Sequence, residues 1–136
     1  MSKLFIYCIL VWSIAAVFSS PINPPKGQGR TVFQFGRIIQ HITGRNPFDY
    51  NGYGCHCGRG SKGSKVVDAV DQCCVAHDNC YNSASYDYNF VTNDIQCTNT
   101  PGTVDREACE CDRRAALCFR SSPFNEAYKN YPANNC

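Results

Sequence analysis

"CCVAHDNCY", residues 73–81, places three cysteines, a histidine and an aspartate within nine positions. Such a cluster suits a metal site, a disulfide knot or a reactive surface, and the surrounding chain decides between them. "DAVDQCCVAHDNCYNSA" (68–84) reads as a helix with Asp68 as its cap and Asp71 in its first turn. "DREACECDRRAALCFR" (105–120) reads as a second helix, capped by Asp105. Cys73 and Cys80 are seven residues apart, and so are Cys111 and Cys118. Seven residues make two helical turns, so each pair shares one face. The equal spacings suggest two staples between the helices. If the helices are antiparallel, Cys80 pairs with Cys111 and Cys73 with Cys118.

Between those staples, His77 sits three residues before Cys80, about 4.5 Å along the axis, and Asp112 one residue after Cys111, about 1.5 Å. Their axial offset is then only about 3 Å, which sets an imidazole beside a carboxylate. Such a pair orients the ring and keeps the proton-accepting lone pair on its free nitrogen. Tyr81, four residues after His77, is placed to donate a hydrogen bond to Asp112. Asp78 projects about 100° away from His77, toward other neighbours. The loop "NPFDYNGYGCHCGRGSKGSK" (46–65), with five glycines and a proline and pinned by Cys55 and Cys57, offers backbone carbonyls. Carbonyls and a carboxylate together make an all-oxygen site suited to calcium. The plainer alternatives are a zinc site built from the cysteines and histidines, a purely structural His77–Asp112 pair, and a solvated Asp78.

The ends of the chain bear on the zinc reading. Lys3, the apolar run "LFIYCILVWSIAAVF" and Ser19–Ser20 read as a secretory signal peptide over about residues 1–19. The rival reading, a membrane anchor, needs ~20 apolar residues, more than this run supplies. "PINPPKGQGR" (21–30) holds three prolines and two glycines and reads as non-helical. Ending in Arg30, residues 20–30 suit a propeptide, or else an extension that stays attached. That leaves 31–136 as one domain. Without Lys3, Lys26 and Arg30, ten basic residues face eleven acidic ones, a net charge of −1. Bulk charge of that size argues against a nucleic-acid binder. Of eleven cysteines, Cys8 falls in the signal and ten remain. An even number in a small exported domain reads as a disulfide framework, which favours oxidised sulfur over zinc thiolates.

Elsewhere, "TVFQFGRIIQHI" (31–42) carries Val32, Phe35, Ile38, Ile39 and Ile42 at helical spacing. Thr31 is placed to cap this helix and Gly44 to end it, while Phe33 falls off the buried stripe. "NSASYDYNFVTNDIQC" (82–97) reads as a turn with a short hairpin, and the tail from Ser121 as irregular.

"YGCHCGRG" (53–60), "DQCCVAHDNCY" (71–81) and "CECDRRAALCF" (109–119) together resemble the secreted phospholipase A2 family. The likeness runs from about residue 31 to 136, and the long tail "CFRSSPFNEAYKNYPANNC", the short Arg-ending pro-segment and "FQF" look like its pancreatic-type branch. The resemblance implies a mainly helical, disulfide-rich fold with an N-terminal helix, a calcium loop, two linked antiparallel helices and a truncated β-wing. It implies calcium-dependent hydrolysis of the sn-2 ester of glycerophospholipids to a fatty acid and a lysophospholipid. On that reading His77 is the general base, Asp112 orients it, and Tyr81 supports Asp112. Asp78 and the carbonyls of His56, Gly58 and Gly60 hold the metal, and the Gly58 amide helps to stabilise the oxyanion. The family pattern adds the pairs Cys55–Cys136, Cys57–Cys74 and Cys97–Cys109. A non-catalytic binding or toxin module on the same frame is the alternative.

The chain departs from the pancreatic type in several places. It supports five disulfides rather than seven, with His41 where a cysteine is usual. Only sixteen residues separate Cys80 from Cys97, so a second tyrosine supporting Asp112 falls to Tyr86 or Tyr88. The loop has Ser61 in place of a glycine and one extra residue before Asp68. The expected partner is a phospholipid aggregate or membrane surface, touched peripherally by a secreted monomer. Val32 and Phe33 would rim a slot lined by Phe35 and Ile39, with Arg59, Lys62 and Lys65 adding positive charge near its mouth.

Overall fold

The computed structural model describes residues 28–136, with side chains from Thr31 onward. The expected signal peptide and residues 20–27 of the expected propeptide lie outside the described residues. Three helices dominate: α1 (Gln28–Thr43), α2 (Ala69–Cys80) and α3 (Val104–Ser121). Strands β1 (Tyr88–Val91) and β2 (Asp94–Cys97) form one antiparallel hairpin, and short 3-10 turns occupy Pro47–Asp49, Glu126–Tyr128 and Ala133–Asn135.

Helix α1 begins at Gln28 and so runs across the expected junction after Arg30, which corrects the non-helical reading for residues 28–30. The prolines of that stretch all precede Gln28, and a packed helix extends at little cost through residues that need no new nucleus. Thr31 is therefore inside the helix and 1% exposed rather than a cap. Gly44 does end α1: it takes φ +71° and its N–H donates to Gln40 O at 3.0 Å. Ile38, Ile39 and Ile42 are buried, each contributing about 1.5–3 kcal/mol of apolar burial. They join Val70, Cys73 and Cys74 of α2, Ala116 and Phe119 of α3, Ile95 of β2 and Tyr50 of the loop in one core.

The cap of α2 is Asp68, whose Oδ1 accepts from Asp71 N at 2.9 Å. The helix stops at Cys80, four residues short of expectation. Tyr81 turns extended (φ −62°, ψ 134°), and Asn82 Oδ1 accepts from Ala84 N at 3.0 Å. An asparagine bonding two residues ahead competes with the helical ladder. The cap of α3 is Thr103, whose Oγ1 accepts from Arg106 N, while Asp105 lies in the first turn beside the helix's positive end.

Five disulfides join Cys55–Cys136, Cys57–Cys74, Cys73–Cys118, Cys80–Cys111 and Cys97–Cys109. The third and fourth run between α2 and α3 in opposite sequence order, so the two helices are antiparallel. The hairpin pairs Phe90 with Ile95 and Val91 with Asp94, and Asn93 takes φ 58° in its two-residue turn. Arg113 of α3 pairs with Asp94, and Arg120 donates to Asn93 O at 2.7 Å. From α1, His41 Nε2 donates to Val91 O at 2.7 Å, and its ring lies 4.5 Å from Phe90. The histidine that stands in place of an expected cysteine thus still ties α1 to the hairpin, through a hydrogen bond rather than sulfur.

Candidate active site

The staples bring His77 of α2 and Asp112 of α3 together: His77 Nε2 lies 2.7 Å from Asp112 Oδ1. Asp112 is 2% exposed. Its carboxylate accepts the imidazole N–H, so the lone pair of a neutral His77 ring resides on Nδ1. The Phe35 ring stacks on His77 at 4.4 Å with 19° between planes, fixing the imidazole's orientation from α1. His77, Cys111 and Asp112 offer ligand atoms within 4.8 Å of one another. Cys111 is consumed in its disulfide, as are all the cysteines from Cys55 to Cys136, so no thiolate is left for zinc among the described residues.

The second carboxylate oxygen, Asp112 Oδ2, accepts the hydroxyl of Tyr86. Tyr86 is 3% exposed, and Gln34 of α1 anchors its backbone by donating to Tyr86 O at 2.7 Å. Burial, then the negative charge of Asp112 and the hydrogen bond to it, hold the Tyr86 phenol far above its ordinary range, so it stays a donor. Tyr81 is a correction. It was expected on Asp112 because a residue four after His77 shares its helical face, but α2 has already ended there. Its ring instead stands 5.5 Å from that of His77, tilted by 60° and exposed. Of the two candidates for a second tyrosine, Tyr86 makes the contact; Tyr88 lies against the Tyr86 ring at 5.8 Å.

The loop after Tyr53 is organised by Asp71, a residue the sequence reading gave only to the helix's first turn. Asp71 is fully buried, and its carboxylate accepts from Cys55 N, His56 N and Val67 N. Gly54 has φ +56°, and a Cβ there would come within 2.5 Å of Asp71 Cγ, so only glycine permits this approach. The His56 ring, assigned no part from sequence, braces the loop's far side. Nδ1 lies 3.0 Å from Ser61 Oγ and Nε2 lies 2.9 Å from Lys65 O.

Some carbonyls of the loop are engaged and others are not. Those of Gly52, Gly54, Cys55 and Cys57 accept hydrogen bonds. Those of His56, Gly58 and Gly60 accept none among the described residues, nor does the Gly58 N–H donate one. Gly58 (φ +105°) and Gly60 (φ +81°) both need the left-handed region, and a Cβ on Gly58 would meet Asn51 Oδ1 at 2.8 Å. Asp78 likewise makes no hydrogen bond or ion pair among the described residues. Burial raises its carboxyl above the usual carboxylate value, partly offset by His77 and His56. A desolvated carboxylate without a donor, close enough to the loop for His56 to influence it, and loop carbonyls left uncommitted have the chemistry that fits a hard divalent cation. Lys62 and Lys65 are not free near the mouth: Lys62 Nζ donates to Gly52, Gly54 and Tyr131 carbonyls, and Lys65 Nζ to Asn135 O.

Two stapled antiparallel helices that present an oriented imidazole beside an oxygen-lined loop define the class of scaffold. The family described as Phospholipase A2 matches residues 32–129. A basic phospholipase A2, Pla2Vb, of Vipera berus berus is 44% identical over 116 residues, covering 77% of this chain and 83% of that protein. The phospholipase A2 A2-actitoxin-Cgg2a of Condylactis gigantea is 43% identical over 119 residues, 77% of this chain and 99% of its own length. A phospholipase A2 of Bos taurus is 36% identical over 141 aligned positions, 90% and 97% of the two chains. The chain belongs to the phospholipase A2 family.

Proposed function

We propose that this chain is a secreted, calcium-dependent phospholipase A2 that hydrolyses the sn-2 ester of glycerophospholipids to a fatty acid and a lysophospholipid. The observation that carries the reading is the His77–Asp112 contact at 2.7 Å, clamped between two interhelical disulfides. With Nε2–H held by Asp112, His77 Nδ1 takes a proton from a water molecule as that water attacks the ester carbonyl. The imidazolium formed is stabilised by Asp112, and Nδ1 then returns the proton to the departing glycerol oxygen. Tyr86 keeps the Asp112 carboxylate in place through its second oxygen. Phe35 covers one face of the ring. The unengaged Gly58 N–H is a donor for the negative charge that develops on the carbonyl oxygen.

Asp78 and the carbonyls of His56, Gly58 and Gly60 would hold calcium. Bound there, the ion supplies positive charge for the oxyanion and the substrate phosphate. No helix among the described residues is long and apolar enough to cross a membrane. Contact with lipid is then peripheral, through the exposed Val32 and Phe33 of α1 and Phe48 of the adjoining turn, with the protein acting as a monomer. Phe48, 76% exposed, carried no signal in the sequence beyond being an aromatic in a loop. The disulfide framework suits an oxidising extracellular setting.

The test is hydrolysis of phospholipid vesicles by the purified protein in millimolar calcium, with EDTA and His77→Gln as controls. Activity that needs calcium and drops by about 10²–10⁴ in the variant supports the reading. A well-folded wild type without hydrolysis in calcium identifies a non-catalytic module instead, and full activity in EDTA removes the metal from the reaction.

A further inference from the structure

Lys62 occupies an unusual setting for a lysine. Its ammonium donates to three main-chain carbonyls: Gly52 O at 3.2 Å, Gly54 O at 3.3 Å and Tyr131 O at 2.9 Å. An ammonium has three N–H donors, so all are used, and each acceptor is a neutral carbonyl. Lys62 forms no ion pair among the described residues. Its own N–H donates to Cys55 O at 2.7 Å. One residue therefore engages the carbonyls of Gly52, Gly54 and Cys55 at once and joins them to the C-terminal tail.

The tail meets the same loop at further points. Gly54 N donates to Tyr128 O at 2.9 Å and Tyr131 N to Gly52 O at 3.0 Å. Cys136 is bonded to Cys55. A Cβ on Gly63 would lie 2.8 Å from Cys136 O, so the loop's return also presses against the tail's end. Lys65 Nζ reaches Asn135 O at 3.1 Å. The loop carbonyls that this clasp engages are those of Gly52, Gly54 and Cys55, and Cys57 O is taken by Gly52 N. The carbonyls of His56, Gly58 and Gly60 are among the loop carbonyls that accept no hydrogen bond among the described residues.

We propose that Lys62 is a positioning residue for the metal: an internal cation that locks the loop to the C-terminal tail, so that the carbonyls of His56, Gly58 and Gly60 are held ready for calcium before calcium arrives. The inference rests on the calcium reading above and names a residue through which the tail sets the affinity. The physical basis is preorganisation. A loop that is binding-competent only a fraction of the time binds with an apparent Kd raised by the inverse of that fraction. With the clasp intact the fraction is near one. Without the ammonium, the Gly54 and Tyr131 carbonyls lose their acceptor bonds, and the loop is tied to the tail only by the remaining backbone bonds and the disulfide.

Calcium is titrated by calorimetry into the full disulfide-bonded protein as wild type, Lys62→Met, Lys62→Gln and Lys62→Arg. Amide hydrogen exchange across residues 52–63 is followed in EDTA. Lys62→Met is expected to raise the calcium Kd by about tenfold or more, matching a competent fraction near one tenth, and to speed exchange in the metal-free loop. Lys62→Arg, which keeps charge and donors, is expected to recover part of the loss. If Lys62→Met does not fold, Lys62→Gln, with two amide donors and no charge, is expected to weaken calcium in the same direction. A folded Met or Gln variant with wild-type calcium Kd overturns the proposal, as does a uniform fall in melting temperature with Kd unchanged, which marks a merely structural lysine. If the wild type itself binds no calcium, the calcium reading fails first and this proposal with it. That result is distinct from a variant that matches a calcium-binding wild type.

Discussion

Replacing Tyr86 with phenylalanine separates the two tyrosines near the catalytic pair. Phenylalanine keeps the ring and its contact with Tyr88, so no cavity larger than one oxygen is left. What goes is the donor to Asp112 Oδ2. Tyr86 is 3% and Asp112 2% exposed, so water has no ready path to replace it. An ordinary hydrogen bond is worth about 1 kcal/mol net, but a bond to a buried charge is worth about 1.5–3 kcal/mol, and the stranded acceptor puts this one in the upper range. The Tyr86→Phe protein is therefore expected to lose about 1.5–3 kcal/mol in guanidinium unfolding, with disulfides intact and slope unchanged. Vesicle hydrolysis should fall as well, because the carboxylate that orients His77 is held by one bond fewer. Tyr81→Phe, at an exposed ring with no hydrogen bond to Asp112, should change stability by less than about 0.5 kcal/mol. If Tyr86→Phe matched the wild type in stability while Tyr81→Phe lost the larger amount, the support of Asp112 would come from Tyr81 and the site as described would be wrong.

Asp71→Asn should be severe, at least about 3 kcal/mol, because in either amide orientation its nitrogen would face the Cys55 N–H and one of the His56 and Val67 N–H groups in a buried site; chemical denaturation reads the loss, and a shift below about 1 kcal/mol would contradict Asp71's place at the centre of the loop. Asp78→Asn should abolish the calcium-induced rise in melting temperature that selective binding to the folded state produces. In EDTA the same variant should be no less stable than wild type, since burial already disfavours the charged carboxylate; a retained calcium shift would move the metal elsewhere. The hydrogen bond from Arg113 holds the Asp94 carboxyl below its ordinary 3.8. Such a group adds stability above the unfolded pKa and loses it as pH falls through the lower folded value. The pair is partly exposed, so Asp94→Asn should lose only about 0.5–1 kcal/mol at pH 6, a gap that closes below about pH 4; a gap that widened on acidification would refute the assignment.

The spacing of Cys73 with Cys80 and of Cys111 with Cys118 determined two helices and the faces they turn to one another, because a seven-residue interval is a local property of the helix. Those faces also carried His77 and Asp112 toward each other. Asp68 as a cap and Gly44 as a stop were legible for the same reason: each acts on its own turn. Arrangements that depend on where a segment returns after a bend were not legible. Tyr81 satisfies the helical interval from His77, yet α2 ends one residue before it, and the chain brings Tyr86 back to Asp112 by a non-helical route. Lys62 and Lys65 read as positive charge near the mouth of the slot, and only the wrapping of the C-terminal tail over the loop gives their ammonium groups carbonyls to bind. The identity of Asp71 as the loop's organiser has the same origin, since its carboxylate serves amides up to sixteen residues upstream. Sequence settles what a helical repeat or a single turn can enforce. Which polar groups from distant segments satisfy one another is settled only when the folded chain removes water from both.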